Sequence, residues 1–283
     1  MSKPLPKVHI RAALGRQIPG DGTIFIRQST SSPLIGECIY CGRSDGLTDE
    51  HSIPYSLFGI AKLRKATCSG CAIETQRVEQ RLLRDTFGQV REYLEFPTRK
   101  SKKAGRWRGN RRGTDRITGD EAEAPLTHGV IALHLAFPNY SPRVLRGEPL
   151  GAKHGVRSLA SIALNDFVAP LPPRFEDGWT RFNPTDLERC IAKIALCEAI
   201  RVVDSSIRDH LVSQFIIEGK GDSSLFLGAE MPEAVTDDMH RITYNRIRRS
   251  DGEAGWIANV RIFGFLPTPQ YSVVLRPNAL HRD

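Results

Sequence analysis

The chain has 283 residues, 40% hydrophobic and 25% charged, which is enough to bury real cores and excludes wholesale disorder. Six cysteines are too few for a disulfide scaffold, and no apolar run reaches the roughly 18 residues that a membrane span needs. Lys and Arg outnumber Asp and Glu by 40 to 32, a formal charge of +8. In chain order, residues 1–36 read as a loosely structured lead-in. Its opening Met-Ser-Lys-Pro-Leu-Pro-Lys has no apolar stretch behind it, so a secretory signal is not expected. Within the lead-in, 23–26 suit a short strand and 29–33 a linker. The expectation is a soluble, cytoplasmic protein, with no membrane partner and with reduced thiols available as metal ligands.

Residues 37–98 hold two C-x2-C pairs, Cys38/Cys41 and Cys68/Cys71. Each pair suits a knuckle in which a tight turn brings two thiolates to one ion, and Gly42 and Gly70 suit such turns. Two knuckles complete a closed, tetrahedral, structural zinc site. Reversible disulfides or an iron–sulfur centre are the competing uses of the same spacing. The 26 residues between the pairs exceed what a plain zinc ribbon needs. They include Asp49-Glu50-His51-Ser52-Ile53-Pro54 and Gly59, and the second pair is followed by a predicted helix over 72–87.

From Arg99 to Arg116 there are nine Lys or Arg and one acid, so this stretch carries the whole formal excess of +8. With four glycines and no apolar period, residues 99–125 read as a basic, flexible linker that ends in an acidic tail at 120–123. The charge alone fits a solvated linker as well as a polyanion contact. In the second case Arg99, Lys100, Lys102, Lys103, Arg106, Arg108, Arg111 and Arg112 would neutralise phosphates, and Trp107 would stack on a base.

Residues 126–283 predict a mixed α/β domain without a catalytic motif. Pro184 and Asp186 mark a helix start, with Asn183 or Thr185 as cap, and apolar residues then recur at helical spacing from Leu187 to Val202. Cys190 and Cys197 on this helix read as small buried hydrophobes. Strand-like runs follow at 213–217, 224–227, 256–265 and 271–275. His128, His134, His154, His210 and His240 are scattered and read as structural.

The set Cys38-x2-Cys41, Glu50-His51-Ser52-Ile53-Pro54, Gly59, Cys68-x2-Cys71 and the following helix resembles the zinc-stapled branch of the HNH endonucleases. The match spans residues 37–98, about a fifth of the chain. The resemblance implies an α+β protein in which a zinc-stapled ββα-metal module precedes the mixed C-terminal domain. It implies a hydrolase that cuts phosphodiester bonds in nucleic acid, DNA being the expected form. Carried over, His51 is the general base, Glu50 a ligand of a catalytic Mg²⁺ or Mn²⁺, and the four cysteines hold structural zinc. An imidazole can accept a proton at neutral pH, and a hard cation prefers carboxylate oxygen. Many relatives carry Asn or His directly after the fourth cysteine as a further ligand; here that residue is Ala72. Helical spacing sets Thr75 and Glu79 on the same side as position 72, so they are the candidate further ligands, although Glu79 is about 10 Å further along the axis. The competing expectation is a zinc-dependent nucleic-acid-binding protein without catalysis.

Overall fold

The computed structural model describes residues 7–9, 23–25, 32–94, 96, 110–125, 128–147, 157–165, 169–177, 183–248 and 254–276. It is a mixed α+β structure with small antiparallel sheets. Strands β1 (Lys7–His9) and β2 (Thr23–Phe25) pair with each other. Residues 33–36 then run beside the later strand β4 (Lys62–Cys68): the Ile35 and Gly36 N–H groups donate to the Arg64 and Lys65 carbonyls at 3.0 and 3.1 Å. The end of the expected lead-in thus belongs to the cysteine module. Strand β3 (Leu47–His51) pairs antiparallel with β4, and helix α1 (Ser69–Arg81) follows β4 directly. A five-residue π turn, Leu82–Thr86, extends α1 as far as the sequence suggested, and the short helix α2 (Gly88–Tyr93) closes the segment.

The linker expected over 99–125 is corrected at its C-terminal end. Strands β5 (Asn110–Asp115) and β6 (Glu121–Pro125) form a hairpin. The acidic tail is the partner of the basic stretch: Arg112 lies opposite Glu123, and Asn110 Nδ2 donates to Glu123 Oε2 at 3.0 Å. A further strand, Phe175–Asp177, covers the other edge of β5. It approaches so closely that a Cβ at Gly113 would lie 2.0 Å from the Glu176 carbonyl. Strands over Ala132–Pro138 and Arg157–Ala163 form another pair.

Helix α3 (Pro184–Val202) is the axis of the fold. Asn183 caps it, its side chain accepting from the Thr185 N–H at 3.0 Å. Every residue from 186 to 200 is buried, the charged ones included. Helix α4 (His210–Glu218) packs on α3, so the strand expected at 213–217 is corrected to helix. The short run Ser213-Gln214-Phe215-Ile216-Ile217 does not choose between the two by its pattern, and the Asp209 carboxylate favours helix by capping the Leu211 and Val212 N–H groups at 3.1 Å. The largest sheet is formed by the strands Leu227–Glu230, Gln270–Leu275, Ala254–Ile262 and His240–Arg248, in that spatial order.

One continuous apolar core runs from Cys38 and Ile39 through Leu63, Val90, Leu135 and Ile194 to Tyr271 and Leu275. The cysteine module and the C-terminal half therefore share a core rather than standing as separate units. Among the described residues no helix is long and apolar enough to cross a membrane.

His240 fastens the two parts together. Its Nε2 donates to the Leu57 carbonyl at 2.5 Å, and its Nδ1 accepts from the Phe263 N–H at 3.3 Å. Both ring nitrogens are satisfied in the neutral form, and burial pushes the imidazole down to about 4 against the Leu57 carbonyl. The unfolded chain, near the ordinary ~6.5, binds that proton first, so this share of stability is full above ~6.5 and is lost as pH falls toward 4. Between pH 7 and pH 5 the protein is expected to lose about 2 kcal/mol more than its His240→Gln variant, read from urea midpoints at the two pH values.

Candidate metal centre and the acid pair beside it

The turn from Cys38 to Arg43 is closed by the Gly42 N–H donating to the Cys38 carbonyl at 2.8 Å and the Cys38 N–H to the Arg43 carbonyl at 2.7 Å. Gly42 sits at φ +75°, which L side chains rarely adopt. Gly70 is used differently, in the first turn of α1. Cys68 is the residue before α1 and Cys71 lies in its first turn. The Ile39 N–H donates to the Ala66 carbonyl at 2.8 Å, which holds the first knuckle against β4.

The four sulfurs of Cys38, Cys41, Cys68 and Cys71 converge, all within 4.8 Å of one another. Thiolates held tetrahedrally at ~2.3 Å from zinc stand about 3.8 Å apart, and the Cys41–Cys68 sulfur pair is at 3.6 Å. That is far beyond a disulfide bond, and all four cysteines are free thiols. The Cys68 thiol is lowered to about 7: burial raises it, but the Cys71 N–H and the surrounding thiols outweigh burial. The cluster can therefore hold a metal such as zinc. Cys190 and Cys197 are buried elsewhere on α3, with Cys197 3.6 Å from the Tyr40 hydroxyl, and burial pushes the Cys190 thiol up to about 12.

Strand alternation divides the Glu50-His51 dipeptide between two faces. Glu50 is buried and opposite Leu63, whereas His51 is half-buried and opposite Lys62. The His51 ring stands edge-on to Tyr55, with centroids 6.1 Å apart. Asp49 is exposed and accepts from the Lys65 N–H at 3.2 Å, where the β3–β4 register shifts. The chain after His51 folds back sharply. A Cβ at Gly59 would lie 1.8 Å from the Ile53 carbonyl, so the motif needs glycine there for space.

The expected divalent-cation ligands have other partners. Glu50 and Glu79 do converge, but on the ammonium of Lys193 from α3. Lys193 Nζ lies 2.6 Å from Glu50 Oε1 and 2.5 Å from Glu79 Oε1, and donates to the His51 carbonyl at 2.6 Å. The Thr75 hydroxyl donates to the Ala72 carbonyl at 3.2 Å. The void beside the group, lined by Thr75, Glu79 and Cys190 among others, has a volume of about 10 Å³, room for about one water. Mg²⁺ keeps several waters and takes six oxygens. As arranged, these residues do not fit a divalent ion, which corrects the assignment of Glu50, Thr75 and Glu79 as its ligands. Among the described residues, the four cysteines form the one group of Cys, His or acid side chains close enough to share a metal.

Burial opposes the charge on Lys193, but the two carboxylates outweigh it and hold the ammonium well above its usual range. Burial raises the Glu50 carboxyl, Lys193 pulling against burial and Glu79 adding to it. Lys193 was not among the residues singled out from the sequence. Its signal there is a single cation inside the run Ile191-Ala192-Lys193-Ile194-Ala195, where an apolar neighbourhood demands a partner.

The basic stretch is only partly available for a polyanion. Arg111 is corrected: it is 1% exposed and its Nη2 donates to the Val130 carbonyl at 2.9 Å. Arg112 and Arg116 are exposed. Arg99, Lys100, Lys102, Lys103, Arg106, Trp107 and Arg108 lie outside the described residues. Comparison with protein-family models, curated proteins and solved structures finds no match for this chain.

Purified chain is expected to carry one zinc per molecule by elemental analysis. Cys190→Ala should keep it. Cys68→Ser should lose it together with the β3–β4–α1 circular dichroism, because metal binding here is folding energy. Lys193→Ala, which strands the buried Glu50 carboxylate and the half-buried Glu79, is expected to cost about 3 kcal/mol in urea unfolding at pH 7.

Proposed function

We propose that the chain is a nucleic-acid phosphodiester hydrolase of HNH-like build, with His51 as its general base. The observation that carries this reading is the pairing of His51 with Lys62 on the outer face of the thiol-clamped hairpin. Residues directly opposite on an antiparallel pair have Cβ atoms about 4.5–5.5 Å apart. The imidazole would take a proton from the attacking hydroxyl or water, a contribution of roughly 10²–10⁴ in rate. Lys62 and the exposed Arg64 would offer positive charge to the phosphate oxygens. Glu50 and Lys193, on the inner face, would hold the strand and the His51 carbonyl in place. The strand–strand–helix order, the convergent thiols and the sequence resemblance support this assignment.

One observation favours a second reading. An acid pair already neutralised by a buried lysine suits a zinc-dependent nucleic-acid-binding protein that does not cut. Labelled DNA and RNA, single- and double-stranded, incubated with zinc-loaded chain separate the two, with Mg²⁺, Mn²⁺ or no added metal. Cleavage is expected to fall roughly 10²–10⁴-fold in His51→Ala, with zinc content unchanged. Salt-sensitive binding without cleavage would establish the second reading, and the absence of any such binding would remove both.

A further inference from the structure

The Glu50–Glu79 pair has its cation already, and the cation is part of the chain. An ammonium has three N–H donors. Lys193 meets three oxygens: one from each carboxylate and the His51 carbonyl. All three donors are therefore used. The side chains of Lys193 and Glu50 are 3% and 7% exposed, and that of Glu79 is 18% exposed. A divalent ion entering here would have to expel a buried ammonium, shed most of its waters and fit beside a void of about 10 Å³. Two carboxylates and a main-chain carbonyl on one centre are nevertheless a hard-oxygen donor set of the kind Mg²⁺ or Mn²⁺ takes. The donors suit a metal, but the occupant is an amine.

We propose that Lys193 is the resident cation of this site in place of a divalent metal ion, and that removing its ammonium converts Glu50 and Glu79 into a divalent-ion site. The proposal stands whether or not His51 cleaves nucleic acid, because its readout is metal uptake.

Mn²⁺ is the probe, added to zinc-loaded full-length chain and followed by the loss of the free-ion electron paramagnetic resonance signal. Wild type is expected to leave the signal as Glu50→Gln leaves it. Lys193→Met is expected to take up one Mn²⁺ per chain at least tenfold more tightly than wild type. Adding Glu50→Gln to Lys193→Met should abolish that uptake. Wild-type binding of one Mn²⁺ that Glu50→Gln removes would overturn the proposal. So would a folded Lys193→Met chain that binds no more than wild type. If Lys193→Met does not fold, Lys193→Gln, whose neutral amide still donates to the carboxylates, takes its place, and a folded Lys193→Gln chain that binds no more Mn²⁺ than wild type would equally overturn the proposal.

Discussion

An ammonium ion taken out of water loses several kcal/mol of hydration, and a carboxylate loses as much. Placing one lysine and two glutamates in the interior of this fold is tolerable because each lies within hydrogen-bond reach of an opposite charge. The three side chains come from α3, β3 and α1, so the docking of these elements is a condition for solvating the charges. The thiol-clamped hairpin and the C-terminal half cannot separate without baring them. That constraint, together with the continuous core and the His240 clasp, ties the described parts of the cysteine module and of the C-terminal half to each other.

The same constraint sorts the residues of β3. Pleating sends Glu50 inward and leaves His51 half-buried on the other face, so neighbouring residues of one strand serve the interior and the outer side of the hairpin. Lys193 touches both residues, because it pairs with the Glu50 side chain and donates to the His51 main-chain carbonyl. The thiol cluster lies at the far end of the hairpin, where Leu47 faces Cys68.

Features written in short spacings were legible in the sequence. The two C-x2-C pairs, the Asn183 cap, the helix from Pro184 and the strands near residues 256 and 271 all depend on neighbours a few positions away. What escaped depends on distant partners. Lys193 finds Glu50 across more than a hundred residues, and no periodicity encodes that meeting. Arg111 reads as a cation for phosphate, yet it is buried and its guanidinium donates a hydrogen bond to the Val130 carbonyl. The acidic run at 120–123 reads as a solvated tail, yet its residues 121–123 are part of the strand that pairs with the basic one and sets Glu123 opposite Arg112. The run at 213–217 is apolar enough for either state, and one cap settled it.

The charges on α3 leave from two opposite sides, Asp186, Arg189 and Lys193 sharing one face and Glu188 the other. Asp186 meets Arg81, Glu188 meets Arg157, and Arg189 reaches the carbonyls of Ile216 and Ile217, while Lys193 serves the acid pair. An apolar cylinder could spin or slide a turn within an oily sleeve at little cost. This one works like a key with wards on two opposite sides: a rotation or a slide of one turn would disengage them, so the helix that looks most generic by composition is held against shifting.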